Sequence, residues 1–259
     1  HAEDPGGPSG AGAAYIFVRS GSTWTQQAKI TASDAAASDA FGQKVEISGD
    51  GTYAIIGAYR EDGTSTDMGA AYIFVRSGSS WTQQAKLTAS DPATGDQFGY
   101  GVSISDDGSY AVVSALFEDP GGTSDAGSAY IFTRSGSTWT QQQKIQASDA
   151  AADDRFGEHV AMNSDGTYVV VGSMRDDVGG TNYGSAYIFT RSGSSWSQQA
   201  KINPSPTEET QFGYSVAINN DATYIAIGSP YNGSSGTNAG AVWIFTRSGS
   251  SWSQQVKLL

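Results

Sequence analysis

A repeated unit of about 57 residues constrains the fold of this chain more than any other feature of its sequence. A tyrosine marks the unit four times and a tryptophan marks it a fifth time, with spacings of 57, 58, 57 and 56 residues: Tyr15, Tyr72, Tyr130, Tyr187 and Trp243. A second marker keeps the same spacings: Trp24, Trp81, Trp139, Trp196 and Trp252. Two markers in step indicate that one structural unit is used several times.

Each unit contains four segments that predict β-strands, which we name A to D in chain order. In the first full unit they read "FGQKVEIS" from Phe41, then "TYAIIGA", "AAYIFVR" and "WTQQAKL". The apolar residues of strand A share one parity, as a half-buried strand requires, and strand B is a more continuous apolar run. Glycine and aspartate between A and B, and "SGS" between C and D, supply the geometry of tight hairpin turns.

Four antiparallel strands per unit, repeated in tandem, predict an all-β fold, namely a β-propeller built from four-stranded blades. A β-solenoid is the structural alternative, but its coils are usually shorter and do not need two glycine-centred hairpins. We predict a single propeller domain, five-bladed or part of a larger one, in which residues 1–30 form a lone C–D hairpin. The predicted full blades are residues 31–87, 88–145, 146–202 and 203–259.

The same segments resemble a known family. "FG" opening strand A, "IGSP" closing a strand B and "GAAYIF" in strand C are similar to the FG-GAP repeat of integrin α-chain propellers. The "W-x-Q-Q-x-K-L" strand resembles the bacterial subtype of that repeat. The resemblance covers essentially the whole chain. It implies a propeller used for extracellular interactions, and it implies no particular ligand.

The number of hairpins is uneven, because strands C and D occur five times but strands A and B only four times. We expect the sequence to be a piece of a longer polypeptide. Two alternatives stay open: a five-bladed ring in which one blade lacks its inner strands, or a neighbouring molecule that donates an A–B hairpin. In each case we expect the gap to be filled, because an empty slot exposes apolar surface and unpaired strand edges.

The charges predict a two-sided molecule. The meander places the B–C and D–A loops on one face, and these loops carry most of the 26 acidic residues, whereas the arginines of the "RSG" turns lie on the other face. Acidic loops keep a protein soluble and cap turns. They also suit binding to cationic surfaces, or self-assembly by stacking of oppositely charged faces. The net charge of -12 argues against nucleic acid, and no apolar run predicts membrane insertion.

The family resemblance raises the question of calcium, which many such repeats hold between strands A and B. Here the turns keep acidic residues but are too short to supply six to eight oxygen ligands: Asp50, Asp106, Asp107, Asp165 and Asp221. We therefore assign these residues to turn geometry. Clusters in the D–A loops are weak calcium candidates, and no other cofactor is predicted: Asp34, Asp39, Asp149, Asp153 and Asp154.

Candidate ligand contacts lie on the acidic face, where aromatic residues that do not belong to the repeat pattern occur beside acids. The candidates are Tyr59, Asp62, Phe117, Asp119, Asp177, Tyr183 and Tyr231. Their distribution over several blades suits a multivalent, low-affinity binder. The repeated tryptophans of strand D are expected to pack between blades, with a sugar-stacking platform as the other interpretation.

No catalytic constellation stands out, and His159 is expected to be an inner-channel side chain. We predict a non-enzymatic, extracellular binding or assembly module at a cell or virion surface, as a segment of a larger bacterial surface protein or virion fibre. Its partner is expected to be a protein or glycan on a surface. A multivalent glycan-binding lectin is the second hypothesis. A glycoside hydrolase that uses a loop carboxylate pair is the third.

Overall fold

The computed structural model describes residues 7–177, 182–203, 211–233 and 235–259. As predicted, it consists of four-stranded antiparallel sheets and one extra hairpin. The hairpin contains β1 (Ala14–Ser20) and β2 (Thr23–Ile30); blade 1 contains β3 (Val45–Ile47), β4 (Tyr53–Ala58), β5 (Ala70–Ser77) and β6 (Ser80–Leu87); blade 2 contains β7 (Phe98–Ile104), β8 (Tyr110–Ala115), β9 (Ser128–Ser135) and β10 (Thr138–Ile145); blade 3 contains β11 (Phe156–Met162), β12 (Tyr168–Ser173), β13 (Ser185–Ser192) and β14 (Ser195–Ile202); blade 4 contains β15 (Ser215–Ile218), β16 (Tyr224–Ser229), β17 (Ala241–Ser248) and β18 (Ser251–Leu258). A short 3-10 turn lies at Pro120–Gly122.

The strand A segments lie next to one another at the inner edge of the blades. Side chains on one inner strand accept hydrogen bonds from backbone N–H groups of the next one. Glu46 accepts from Ile104 at 2.8 Å, Ser103 from Met162 at 3.0 Å, and the Nδ1 atom of His159 from Val216 at 3.4 Å. His159 therefore has a structural role between inner strands, and burial together with the charge of Lys44 lowers its pKa.

The phenylalanine that begins each strand A segment lies at the centre of the packing between strands A and C. All four are fully buried: Phe41, Phe98, Phe156 and Phe212. The ring of Phe98 makes edge-to-face contacts with Tyr130, at a centroid distance of 5.4 Å, and with Phe132, at 6.0 Å. This geometry is favoured between aromatic rings. The buried side chains of neighbouring blades then join in common apolar clusters, so each blade is completed by its neighbour.

A backbone contact fixes how closely successive blades approach. Gly69 lies just before strand C of blade 1 and forms a parallel bridge with Phe98, the first residue of blade 2. A Cβ atom at Gly69 would lie 2.0 Å from the carbonyl oxygen of Phe98, and the corresponding distance from Gly127 to Phe156 is 2.2 Å. Only glycine fits such an approach, and its positive φ adds the same requirement.

Strand D supplies a second contact between blades, through the repeated tryptophans. The indole N–H of each donates to a glutamine side chain of the preceding strand D at 3.0 Å: Trp81 to Gln27, Trp139 to Gln84, Trp196 to Gln142 and Trp252 to Gln199. The expectation that these residues pack between blades is confirmed. Trp24, in the extra hairpin, is 63% exposed.

The extra hairpin packs against blade 1 and leaves a groove beside β1 where other blades have strands A and B. The groove has a volume of about 480 Å³. Apolar side chains along it are exposed, including Phe17, Val45 and Ile47. The expectation that this groove is covered, by further chain or by a neighbouring molecule, stays a prediction.

The glycine contact yields a stability prediction. We expect Gly127→Ala to lower the free energy of unfolding by about 3 kcal/mol or more, because a Cβ atom collides with backbone and the blades must separate. Gly136→Ala is the matched control, since Gly136 also has a positive φ but has nothing within 4 Å of the added atom. The control should lose only about 1 kcal/mol. Urea unfolding measures both, and equal losses would contradict the assignment.

Candidate functional site on the acidic loop face

Two sets of loops meet on one face of the blades, which we call the acidic face. In blade 2, the loop between β6 and β7 and the loop between β8 and β9 enclose a cleft of about 600 Å³. Its charged and aromatic lining residues are Asp91, Asp96, Phe117, Glu118, Asp119, Asp125 and Lys144. The candidates Phe117 and Asp119 therefore lie in one cleft, as the predicted sorting of loops by face requires.

Lys144 on β10 connects the two loops of this cleft. Its Nζ atom lies 2.8 Å from Asp91 in the β6–β7 loop and 2.6 Å from Glu118 in the β8–β9 loop. The hydroxyl of Tyr130 donates to the same Asp91 at 2.9 Å. The Lys144 ammonium also lies 5.5 Å from the centre of the Tyr130 ring. One lysine thus holds two acidic loops at a fixed separation.

The same arrangement recurs in the blades on either side. Blade 1 uses Lys86, Asp34, Glu61 and Tyr72, and blade 3 uses Lys201, Asp149, Asp176 and Tyr187. In blade 4 the tyrosine position holds Trp243 and the B–C loop position holds Asn232. The tyrosine and the B–C loop acid are therefore replaced together within the repeats. This internal covariation is a signal in the sequence from which the network could have been predicted, and it was missed.

The ion pairs shift the pKa values of the aspartates and lysines that form them. Burial by itself would raise the pKa of Asp34, Asp91 and Asp149, but hydrogen bonds from the lysine and the tyrosine lower it below its usual value. For the lysines, burial acts to lower the pKa, and the hydrogen bonds to two carboxylates raise it. Both shifts favour the charged forms, so the connection between the loops persists at neutral pH.

A second set of aspartates stabilises the D–A loops by accepting hydrogen bonds from the backbone of the same loop. Asp39, Asp96 and Asp154 each accept a hydrogen bond at 2.7 Å from the backbone N–H three residues earlier in the chain. These side chains are buried, and burial raises the pKa of Asp96 and of Asp154 to about 6, although the backbone hydrogen bond acts in the opposite direction. The blade 2 cleft is therefore lined by one carboxyl group, that of Asp96, whose pKa is raised to about 6.

The calcium candidates are accounted for by these contacts. Asp34 and Asp149 bind lysine and tyrosine, Asp39 and Asp154 bind backbone N–H groups, and Asp153 is exposed. Among the described residues, no group of three or more His, Cys, Asp or Glu side chains is arranged to hold a metal ion. The calcium assignment thus receives no support from the geometry. The acids of the A–B turns accept local hydrogen bonds, as when Thr52 N–H donates to Asp50.

Three further candidates stabilise the B–C loops. Asp62, Asp119 and Asp177 accept backbone hydrogen bonds at 2.7–2.8 Å from residues five or six positions later. All three are exposed. Each therefore sets the shape of its loop and still presents negative charge on the acidic face.

The aromatic candidates occupy different surroundings. Tyr59 makes an edge contact with Tyr100 at 5.6 Å, and Phe117 lies under the guanidinium of Arg155 at 4.7 Å. Tyr183 is half-buried and Tyr231 is 50% exposed. The rings belong to separate blades, so each presents its own contact surface. Four acidic residues that the sequence also assigns to this face lie outside the described residues: Glu3, Asp4, Glu208 and Glu209.

Arginines on the opposite face take part in contacts between blades. Arg134, Arg191 and Arg247 donate to carbonyl oxygens of the A–B turn of their own blade. Their guanidinium groups lie 4.3–4.8 Å from the centre of a tyrosine ring in the preceding blade. These cation–π contacts use part of the positive charge for blade packing. The two faces therefore differ in charge and in how much of that charge is available to a partner.

Comparison with known proteins follows the same repeat. A family model described as the FG-GAP repeat matches residues 24–74, 81–132, 139–189 and 196–245. Each match begins at the tryptophan of one strand D and ends in strand C of the next blade. No curated protein matches the chain. In the described part of the chain, no helix has the length and apolar character to cross a membrane.

Two solved structures are similar to the chain at low sequence identity. A structure described as a 6-phosphogluconolactonase from Bacteroides uniformis is 12% identical, with a TM-score of 0.63, over 97% of this chain and 66% of that chain. A structure described as TolB from Agrobacterium tumefaciens is 14% identical, with a TM-score of 0.49, over 90% of this chain and 65% of that one. The chain spans less than two thirds of each, and the first likeness supports the propeller fold alone.

The lysine connection leads to a prediction for blade 2. We expect Lys144→Met to lower the free energy of unfolding by about 2 kcal/mol, because it leaves two carboxylates without their cation. The double variant Lys144→Met/Glu118→Gln should recover part of this loss. Lys29→Met is the control, since Lys29 holds the same strand D position but is exposed. A loss in the control equal to that of Lys144→Met would contradict a specific role of the ion pairs.

The buried aspartates lead to a pH prediction. The pKa of Asp96 is raised to about 6, so the stability due to its protonated form is present below about pH 4 and lost as pH rises through 6. Asp96→Asn keeps an acceptor for Ala93 N–H and should reduce the fall in unfolding free energy between pH 4 and 7 by up to about 2 kcal/mol. Asp153→Asn, in an exposed position of the next D–A loop, should leave the slope unchanged. If the unfolding free energy of Asp96→Asn fell with pH as steeply as that of the parent chain, this assignment would be refuted.

Proposed function

Because the chain belongs to the FG-GAP repeat family, we propose that it is a non-enzymatic binding module that acts outside the cell through its acidic face. The observation that carries the proposal is the recurrence of one cleft framework on three successive blades. In each, a strand D lysine holds the D–A and B–C loops together. A framework that is fixed and repeated suits a surface that contacts an extended partner at several points.

The chemistry of the cleft supports binding rather than turnover. A carboxylate pair for glycoside hydrolysis needs one group free to donate a proton and another free to act on water or sugar. In blade 2, Asp91 and Glu118 are paired with Lys144, and Asp96 and Asp119 accept backbone hydrogen bonds. Each of these four carboxyl groups therefore takes part in a contact that holds a loop in place.

The partner that fits this surface is a protein or glycan displayed on another surface. Exposed carboxylates at Asp62, Asp119 and Asp177 attract basic side chains and increase the rate of encounter. We place the module at a cell or virion surface, as part of a larger bacterial surface or fibre protein. The family resemblance and the acidic loops support this location.

A glycan is the second candidate ligand, and one observation favours it. The ring of Phe117 lines the blade 2 cleft beside Asp119 and Asp125. An aromatic face beside hydrogen-bonding carboxylates suits a sugar ring, whose C–H face stacks and whose hydroxyls donate. This would make the module a multivalent lectin that uses the same face.

The test measures binding of the purified chain to immobilised poly-lysine, as a cationic surface, and to a glycan array. The variant Asp62→Asn/Asp119→Asn/Asp177→Asn keeps the acceptors of the B–C loops and removes three charges. We expect it to weaken binding to poly-lysine at least tenfold at low salt. If the glycan proposal is right, Tyr59→Ala/Phe117→Ala/Tyr231→Ala should abolish binding to the array.

The control is Ser79→Ala/Ser137→Ala/Ser194→Ala, which changes three exposed positions in the C–D turns of the opposite face. It should bind like the parent chain. Sedimentation velocity at several concentrations tests self-assembly through oppositely charged faces or a donated A–B hairpin. Binding to neither surface, together with concentration-dependent assembly, would overturn the acidic face as a partner site and favour an assembly role.

A further inference from the structure

Strand β1 shares its sequence with β5 but lies in a different environment. Residues 12–22 are identical to residues 69–79. In blade 1, β5 lies between β4 and β6, whereas β1 belongs to a two-stranded sheet with β2. The exposure of the side chains differs accordingly, because Phe74 on β5 is 3% exposed and its counterpart Phe17 on β1 is 52% exposed. Within the described ranges, β1 is therefore a strand C whose edge toward strand B is open.

The inner strand of blade 1 is exposed beside the same groove. Val45 on β3 is 58% exposed, whereas the valines at the same position of blades 2 to 4 are 3–8% exposed: Val102, Val160 and Val216. Those three valines pack in common apolar clusters with side chains of the preceding blade. Exposed apolar side chains on two neighbouring elements are typical of a surface that a protein partner covers.

The β1–β2 hairpin is nevertheless docked on blade 1 as in a complete blade. Gly12 forms a parallel bridge with Phe41, as Gly69 does with Phe98. A Cβ atom at Gly12 would lie 2.1 Å from the carbonyl oxygen of Phe41, and the corresponding distance from Gly69 to Phe98 is 2.0 Å. β1 is thus held where a strand C belongs, and the place of strands A and B lies beside it.

Backbone pairing in blade 1 shows which strand fits the open edge. β4 and β5 are antiparallel, and the N–H of Arg76 donates to the carbonyl oxygen of Thr52 at 2.8 Å. The pairing of β1 with β2 has the same register and the same irregularity as that of β5 with β6. The N–H of Arg19, the counterpart of Arg76, therefore faces the open edge. A strand B that enters here meets a donor pattern that is already set.

Side-chain packing requires a whole A–B hairpin. In blade 1 the ring of Phe41, which opens the strand A segment, makes an edge contact with Phe74 at 6.0 Å. The counterpart Phe17 lines the open groove. Strand B must also lie close to the next blade, because a Cβ atom at Gly57 would lie 2.0 Å from the carbonyl oxygen of Gly99. A fitting hairpin thus begins with phenylalanine and has glycine near the end of its second strand.

We propose that the open edge of β1 is an acceptor site for an A–B hairpin of the FG-GAP repeat, supplied by another molecule. The four A–B hairpins of this chain each pair within their own blade. The incoming hairpin would complete a fifth four-stranded blade. The site uses no loop of the acidic face, so it goes beyond the proposed function, and either proposal can fail without the other.

The probe is a peptide with the sequence of residues 41–58, FGQKVEISGDGTYAIIGA, immobilised on a biosensor, with the full chain in solution. We expect saturable binding with a Kd below about 100 μM. Phe17→Ser in the chain should weaken it tenfold or more, because the peptide phenylalanine loses the ring on which it packs. Leu258→Ser is the matched control, since Leu258 is also 52% exposed but lies in blade 4. It should bind the peptide like the parent chain.

A second pair of variants separates strand pairing from general apolar adhesion. Arg19→Pro removes the N–H that faces the open edge, at a position where an edge strand tolerates proline, whereas Arg19→Ala keeps this N–H. We expect Arg19→Pro to weaken binding at least fivefold more than Arg19→Ala. In the peptide, Gly57→Val adds a β-branched side chain where blade 1 has no room for a Cβ atom, and it should weaken binding tenfold or more.

Three results would overturn the proposal. The first is no saturable binding at about 500 μM chain, a concentration well above the expected Kd. The second is equal binding by Phe17→Ser and the parent chain, or by the two Arg19 variants. The third is dimerisation of the chain that Phe17→Ser abolishes and the peptide does not inhibit, which would assign the edge to a second copy of β1. Binding to poly-lysine should be unchanged in Phe17→Ser, so that measurement reports on the acidic face separately.

Discussion

The structure depends on the contact between the glycine before strand C and the phenylalanine that opens the next strand A. At Gly69 and Phe98 the backbones meet so closely that no side chain fits between them. The phenylalanine ring is thereby held inside its own blade, against the tyrosine and phenylalanine of strand C. The D–A loop ends at this phenylalanine, so the same contact fixes the position of that end of the loop. The position of the acidic face follows from it.

The charged residues of the blades have two roles. Some hold loops and blades together, and others remain exposed to solvent. The strand D lysines are partly buried between two loops, and their carboxylate partners are the acids that would otherwise repel each other. Other acids, such as Asp119, shape a loop with one oxygen and remain exposed. On the opposite face, arginines lie over tyrosines of the preceding blade. In this negatively charged protein, the few lysines and arginines therefore stabilise the packing of loops and blades. The acidic residues that they do not bind remain exposed on the acidic face.

The features that could be predicted from the sequence are those that depend on the repeat period and on local residue chemistry. The strand pattern, the glycine turns, the buried phenylalanines and the tryptophan packing follow from residues that recur in register. The lysine network was missed because it joins three segments that are far apart in sequence, and Lys144 by itself resembles any lysine at the outer rim. The D–A loop acids suggested calcium because spacing does not reveal that a residue such as Asp154 accepts a hydrogen bond from the backbone of its own loop.

The tryptophan–glutamine bonds give the array a direction. Each blade donates from its tryptophan to the blade before it and offers a glutamine to the blade after it. A blade inserted as one whole period brings both halves of this bond, together with its own glycine and phenylalanine, and needs no adjustment in its neighbours. An insertion of half a period would leave an indole or a phenylalanine without its counterpart. Duplication of complete units is therefore the natural way for such a gene to lengthen, and the near-identity of strands C and D in its repeats is what recent copying would leave behind.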